Sequence, residues 1–205
     1  MTPDTLAASH SDGWFDDGVY TYVSELTHRS PGWLDTAISV WSAYGLALFA
    51  VFLLASWWRA RATDPARTAM ALAAPLVVLA SFAASDALKA LVQERRPCQV
   101  LHTATIEACP PPGDWSLPSN HAAIAAAAAV AVLFTDRALA AAAIPAAVLM
   151  AVSRVWVGAH YPHDVVLGLL VGAVVAGALM IAARRSAPLV SRLRETRLRP
   201  LVASR

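Results

Sequence analysis

The sequence is poor in charged residues. Only 15% of its 205 residues are Asp, Glu, Lys or Arg, whereas 58% are hydrophobic. Soluble domains usually carry about 25% charged and about 45–50% apolar residues. No polar stretch is long enough to bury a core of its own, which argues against a separate soluble domain. The composition therefore predicts a single domain embedded in a membrane.

Lysine and cysteine are scarce as well. The sixteen basic residues include one lysine, Lys89, so its position suggests a specific role for an ammonium group, with chance as the alternative. The two cysteines, Cys98 and Cys109, have a spacing that fits neither a metal site nor a redox CxxC motif. No cofactor and no nucleic-acid partner are expected, and the oligomeric state stays open.

The apolar residues fall into five segments, each a candidate transmembrane helix. A bilayer core of about 30 Å needs about 20 helical residues, so the third segment is short and its first turn is expected at the interface. The predicted fold is all-α, a polytopic membrane helical bundle of about five transmembrane helices. The segments are Leu34–Trp58, Thr68–Val92, Ser119–Phe134, Ala138–Val157 and Asp164–Ala183.

Three regions follow from this pattern: residues 1–32 before the spans, a transmembrane domain over 33–185 and a basic tail over 186–205. The first region is acid-rich, and its apolar residues recur at roughly helical spacing. Part of it is expected to lie as an amphipathic segment along the membrane surface. A disordered tail is the alternative.

The arginines predict the orientation. They concentrate in the loop after the first span, at Arg137 between spans three and four, and in the tail. If the chain crosses five times, these regions lie on the same side of the membrane. The positive-inside rule predicts that this side is the cytoplasm. Residues 93–118 and 158–163 are thus expected outside and the C-terminus inside. An oxidising compartment permits a disulfide between the two cysteines, and two free thiols are the alternative.

Three groups of polar residues mark the outer ends of the spans. Snorkelling alone would explain Lys89, but not why three cations gather there against the positive-inside bias. Lys89 and Arg96 are seven residues apart and share a helix face, which suits a phosphate ligand. The groups are Lys89 with Arg96-Pro97, then Pro118-Ser119-Asn120-His121, then Ser153-Arg154 with His160 and Asp164.

The second group is typical of a helix start. Ser119 is a good N-cap, and the free N–H groups of the first turn attract anions. Asn120 can add donors. His121 could protonate a leaving group, although a single histidine in a first turn is more often structural.

The third group contains a candidate nucleophile. Asp164, four residues after His160, can accept a hydrogen bond from one imidazole nitrogen and leave the other free to attack. Two histidines and an aspartate (His121, His160 and Asp164) could instead hold a metal ion, but the neighbouring cations would repel it. His163 is expected to face elsewhere on the helix.

Together these motifs resemble the three-part signature of the type 2 phosphatidic acid phosphatase superfamily, over about Leu34 to Ala183. The resemblance implies that His160 forms a phosphohistidine, that Asp164 orients it and that His121 is the general acid. It also implies phosphate binding by five residues, which are Lys89, Arg96, Ser119, Asn120 and Arg154. Asn120 departs from the glycine that is commonest at its position.

Within the superfamily, the stretch from Ser153 to Pro162 is most similar to bacterial undecaprenyl diphosphate phosphatases of the bacitracin-resistance type. This resemblance implies a location in a bacterial cell membrane and a polyprenyl diphosphate substrate, hydrolysed without a metal. The alternatives are phosphatidylglycerol phosphate, phosphatidate or a polyprenyl-phosphosugar. A non-enzymatic binder of lipid phosphates is a third hypothesis.

Overall fold

The computed structural model describes residues 16–203. Within that range the regular structure is helical, with a short 3-10 turn (Arg184–Ser186) and no strand. Ten α-helices occur there: α1 (Asp17–Arg29), α2 (Gly32–Tyr44), α3 (Leu46–Ala60), α4 (Pro65–Val92), α5 (Pro97–Val100), α6 (Asn120–Thr135), α7 (Arg137–Trp156), α8 (Pro162–Ala183), α9 (Ala187–Leu193) and α10 (Arg199–Val202).

The lengths of the apolar helices confirm a membrane helical bundle. Three segments are long and apolar enough to cross a bilayer, namely Pro65–Val100, Arg137–Trp156 and Pro162–Leu193, and α2 with α3 makes a fourth if this bent pair is one span. The third expected span, α6, is apolar but has 16 residues, fewer than the roughly 20 that a straight crossing needs.

The first expected span is not one straight helix. Its two halves, α2 and α3, meet at 52° around Gly45. A Cβ at Gly45 would lie 2.7 Å from the Met150 methyl carbon and 2.5 Å from the carbonyl oxygen of Trp41. The lack of a side chain at Gly45 therefore allows Met150 of α7 to pack against the bend. An apolar run by itself does not indicate such a contact.

The alanine-rich helix α6 forms the centre of the bundle and packs against α3, α4, α7 and α8. Two glycines of α8 face its backbone. A Cβ at Gly168 would lie 2.5 Å from the Ser119 carbonyl oxygen, and one at Gly172 would overlap the carbonyl oxygen of Ala123. Small residues allow such close helix packing in membranes. This contact sets the first turns of α6 and α8 side by side.

The two ends of the chain also pack against the bundle. In α1, Tyr20 is buried and its hydroxyl donates to the carbonyl oxygen of Gly158 at 3.2 Å. The segment from 16 to 29 is thus ordered against the bundle rather than a disordered tail. Residues 1–15, the rest of the expected amphipathic segment, lie outside the described residues. In the basic tail, Arg194 donates to the Thr63 carbonyl oxygen at 2.9 Å.

Candidate active site

A cavity of ≈ 410 Å³ lies at the end of the bundle where α6 and α8 begin and where α4 and α7 end. Residues between α4 and α6 complete its wall. Six of the eight predicted site residues line it: Lys89, Arg96, Asn120, His121, Arg154 and His160. The other two, Ser119 and Asp164, are fully buried beside it.

His160 and Asp164 form the hydrogen-bonded pair that their spacing predicts. The imidazole Nδ1 lies 3.2 Å from Oδ2 of Asp164. The same oxygen accepts from the backbone N–H of Tyr161 at 2.8 Å and from the hydroxyl of Ser116. Because a carboxylate only accepts hydrogen bonds, Nδ1 carries the proton and Nε2 keeps its lone pair. The pair therefore presents a fixed tautomer with an unprotonated Nε2.

The free Nε2 of His160 lies beside a cation. Nη1 of Arg96 is 3.4 Å from it and donates to the carbonyl oxygen of Ala159 at 2.8 Å. Burial, and then the charges of Arg96, Arg154 and Lys89, holds the pKa of His160 well below its ordinary value. The imidazole is consequently neutral at neutral pH, as a nucleophile must be.

The preceding glycine allows this geometry. Gly158 has φ +83°, and a Cβ there would run into the side chain of Thr105. A residue with a side chain would be strained at this φ and would also clash. The turn brings the Ala159 carbonyl oxygen to Arg96 and the His160 ring to the cavity.

The other two cations come from separate helices. Lys89, at the end of α4, donates from Nζ to the carbonyl oxygen of Trp115 at 3.0 Å. Arg154, near the end of α7, donates from Nη1 to Oε1 of Glu107 at 3.0 Å and to the hydroxyl of Ser42. Its Nε is buried and has no partner within residues 16–203. This open donor suits an anionic ligand.

The start of α6 places the second histidine. His121 lines the cavity, and its ring makes no hydrogen bond to the described residues, so it can exchange a proton with a bound molecule. Asn120 accepts from the Ser85 hydroxyl at 2.7 Å. Ser119 is the N-cap residue, but its hydroxyl makes no capping bond and, among residues 16–203, has no partner. The expected side-chain cap at Ser119 is therefore wrong.

The sequence matches a known protein family over most of the bundle. Residues 69–187 match the family model of the PAP2 superfamily, and this match covers more than half of the chain. The chain belongs to the PAP2 superfamily. With the helical bundle described above, it is a multi-pass membrane member of that superfamily, as the three motifs indicate.

Two undecaprenyl-diphosphatases are among the relatives of this PAP2 protein. It is 29% identical to the undecaprenyl-diphosphatase BcrC of Bacillus subtilis (strain 168) over 163 residues, which cover 78% of this chain and 80% of the relative. An undecaprenyl-diphosphatase of Sulfolobus acidocaldarius is 45% identical over 64 residues, or 31% of each chain.

A solved structure shares the fold. It is the transmembrane PAP2 type phosphatidylglycerolphosphate phosphatase from Bacillus subtilis, which superposes with a TM-score of 0.60 over 82% of this chain and 86% of its own. Because the identity is 19%, this likeness concerns the fold alone.

Three polar residues of the PAP2 site were not predicted. Ser116 donates to Asp164, Glu107 pairs with Arg154, and Asp114 pairs with Arg96 at 2.9 Å. Partial burial acts to raise the pKa of Asp114, but the hydrogen bond and charge of Arg96 outweigh it and hold that pKa below its usual value. Charge balance could have indicated the two acids, because three buried cations need counter-ions.

His163 lies nearer the site than its position in the motif suggests. Its Nδ1 is 2.9 Å from Asp16, and its Nε2 is 3.0 Å from Glu94 and 3.5 Å from Oδ1 of Asp164. Glu94, His163 and Asp164 have ligand atoms within 4.8 Å of one another, a spacing that could hold a metal ion. Carboxylates of Asp16 and Glu94 hydrogen-bond both ring nitrogens, so the His163 ring is held in place without a metal. His163 thus connects Asp16, just before α1, to Oδ1 of Asp164, the oxygen that does not bind His160.

The two cysteines form a disulfide, Cys98–Cys109, across eleven positions of the segment between α4 and α6. Arg96 lies just before this loop, and Glu107 lies within it. The disulfide therefore limits the distance between Arg96 and Glu107, the residue that pairs with Arg154.

Reduction is expected to destabilise the protein. A loop of this length stabilises by about 2–3 kcal/mol through the entropy of the unfolded chain. The melting temperature of the detergent-solubilised protein should fall when reductant is added, whereas the Cys98→Ala/Cys109→Ala double variant should melt low and ignore reductant. A wild-type melting curve that reductant leaves unchanged would count against a structural role for the bond.

Proposed function

We propose that the protein hydrolyses undecaprenyl diphosphate to the monophosphate through a phosphohistidine at His160, without a metal. The observation that carries the proposal is the placement of the free Nε2 of His160, 3.4 Å from Arg96 in a buried cationic cavity, with Nδ1 held by Asp164. The names of the two undecaprenyl-diphosphatase relatives support the substrate.

Substrate binding would exchange protein anions for phosphate oxygens. In the free protein, Lys89, Arg96 and Arg154 are satisfied by a carbonyl, by Asp114 and by Glu107. A terminal phosphate in the cavity can take the same donors, together with Nε of Arg154 and N–H groups at the start of α6. These groups neutralise the charge that spreads over the equatorial oxygens during phosphoryl transfer.

The first chemical step forms a phosphorus–nitrogen bond. Nε2 of His160 attacks the terminal phosphorus, and the bond from that phosphorus to the bridging oxygen breaks. The negative charge of the bound diphosphate favours protonated His121, which gives its proton to the bridging oxygen, so that the lipid monophosphate leaves. Asp164 stabilises the charge that develops on the imidazole through Nδ1.

The second step releases phosphate. Neutral His121 takes a proton from a water molecule, the water oxygen attacks the phosphorus, and the phosphorus–nitrogen bond breaks. His160 returns to its neutral tautomer, and one water molecule has been consumed. The same group thus acts first as an acid and then as a base.

Other lipid phosphates are substrates of the same chemistry in principle. The residues that line the cavity contact the phosphate, so phosphatidylglycerol phosphate, phosphatidate and polyprenyl-phosphosugars compete as candidates. Comparison of kcat/KM across these lipids in one detergent decides among them. A pure binder of lipid phosphates is disfavoured because a nucleophile, its orienting carboxylate and a proton donor all meet at one cavity.

The direct test is phosphate release from undecaprenyl diphosphate by the purified protein with EDTA present. We expect turnover to continue at the rate measured without chelator. A strict requirement for an added divalent metal would overturn the metal-free mechanism. No release from this lipid, with release from another, would overturn the substrate.

The counter-ions yield a further prediction. In Asp114→Asn, Arg96 loses the carboxylate that occupies it, so inorganic phosphate should inhibit more strongly, with a Ki about two- to fivefold lower. The side chain of Asp114 is 46% exposed, which keeps the effect modest. Glu195→Gln, on the exposed tail, is the control. A Ki that is unchanged or higher in the Asp114 variant would contradict the exchange.

The site is proposed to face outside the cell. Arginines gather at the opposite end of the bundle, where the positive-inside rule places the cytoplasm. A fluorescent protein that folds only in the cytoplasm should therefore be bright when fused after residue 205. A dark but full-length fusion would reverse the orientation.

A further inference from the structure

A second cavity lies at the other end of the bundle from the catalytic residues. Its volume is ≈ 1810 Å³, and its wall is built by the end of α3, the start of α4, the junction of α6 and α7, and α10. We call it the basic cavity. It shares no lining residue with the cavity that holds His160.

Five arginines line the basic cavity. Among the described residues, one carboxylate lines it, Asp136, and Arg59 binds that carboxylate at 2.6 Å. Arg137 and Arg199 form no salt bridge within residues 16–203. Arg67 lies 3.4 Å from Asp64, so two of the five arginines are paired and the cavity keeps a net positive charge. The five lining arginines are Arg59, Arg61, Arg67, Arg137 and Arg199.

Topology alone does not explain this convergence. The positive-inside rule accounts for arginines near one membrane face, and Arg184, Arg185 and Arg192 satisfy it at the same end of the bundle. Those three do not line the basic cavity. The other five surround one cavity, where they can share a ligand.

One of the arginines is held in place ready for an anion. The guanidinium of Arg61 lies 3.7 Å from the ring centroid of Trp58, and its Nη1 donates to the carbonyl oxygen of Pro200 at 2.8 Å. Its Nε is buried and has no partner among the described residues. Stacking on an aromatic ring and one hydrogen bond reduce the freedom of a side chain that is otherwise costly to order.

The wall is amphipathic. Next to the arginines it contains Trp58, Leu133 and Phe134, of which Trp58 is 62% and Leu133 41% exposed. Exposed apolar side chains beside fixed cations fit a ligand with a phosphate head and a hydrocarbon chain. Basic pockets between helices at a cytoplasmic membrane face bind such head groups.

We propose that the basic cavity binds the phosphodiester head group of an acidic phospholipid. Arg137 and Arg199, which lack carboxylate partners, contact the phosphate, and the chains lie along Leu133 and Trp58. This site is independent of the proposed reaction, because a phosphodiester lipid such as phosphatidylglycerol has no terminal phosphate for His160 to attack.

The test uses full-length protein in neutral detergent. Native mass spectrometry and melting curves are recorded with phosphatidylglycerol, with phosphatidylcholine and with inorganic phosphate. We expect phosphatidylglycerol to bind and to raise the melting temperature, and phosphatidylcholine to do neither. In Arg137→Gln/Arg199→Gln the apparent affinity for phosphatidylglycerol should fall about tenfold or more, since each arginine adds to the attraction.

The control is Arg184→Gln/Arg185→Gln, which removes two arginines from the same end of the bundle but outside the cavity. It should keep the wild-type affinity, and both double variants should keep phosphatase activity, which verifies folding. Equal losses in the two variants would reduce the effect to surface charge and overturn the site. If inorganic phosphate alone reproduces the whole response that Arg137→Gln/Arg199→Gln removes, the lipid assignment is overturned.

Discussion

Replacement of His160 by glutamine is expected to lower kcat by about 10⁴-fold or more, while the lipid diphosphate still binds. Nε2 of His160 is the atom that would bond to phosphorus, and a glutamine amide has no comparable nucleophile. Losses of this size are typical when a nucleophile is removed. The rate enhancement that remains comes from substrate binding and charge stabilisation. The three cations of the site stay in place, so affinity should persist.

The measurement pairs turnover with lipid binding in the same detergent. His28→Gln is the control, because His28 is exposed on α1, away from the cavity. It should retain wild-type kcat. Activity near the wild-type level in the His160 variant would remove the nucleophile from the mechanism, whatever its geometry.

Replacement of Asp164 by asparagine should cost about 10³- to 10⁴-fold in kcat with little change in KM. Oδ2 of Asp164 accepts from Nδ1 of His160, from the Tyr161 N–H and from Ser116. An amide at this position donates as well as accepts, so it favours the wrong tautomer and cannot stabilise the imidazole as charge develops. The effect of a comparable exchange in hydrolytic triads has this magnitude.

A matched control exists in Asp136→Asn. Asp136 also stands at a helix start, where Oδ1 accepts from the N–H groups of Ala138 and Leu139 at 3.0 and 3.1 Å. Asparagine caps a helix about as well as aspartate, so the exchange should cost at most about 1 kcal/mol, from the weakened contact with Arg59, and leave kcat intact. If both variants lose only stability, Asp164 is a cap and not an orienting group.

Much of the site could be predicted because its chemistry follows from short spacings. His160 and Asp164 are one helical turn apart, and three cations outside the expected cytoplasmic face need an anion to explain them. The cavity brings these groups together. The same reasoning indicated the helix start at Ser119, although its hydroxyl is buried without the expected capping bond among the described residues.

The remainder depends on contacts between distant parts of the chain. At the bend, Gly45 leaves room for Met150, which is more than a hundred residues away. Glu107 and Asp114 lie in an irregular segment with no periodicity to indicate which way they point. No pattern within a single segment contains this information, although the need for counter-ions could have been argued from charge.

The covalent intermediate provides the most direct test of the mechanism. Undecaprenyl diphosphate labelled in its terminal phosphate is mixed with enzyme, quenched within one turnover and digested. We predict a label that is stable to base and labile to acid, in the peptide that contains His160, and absent from the His160→Gln protein. A single-turnover experiment that releases labelled phosphate with no label on the protein, or with the label on His121, would contradict the mechanism proposed here.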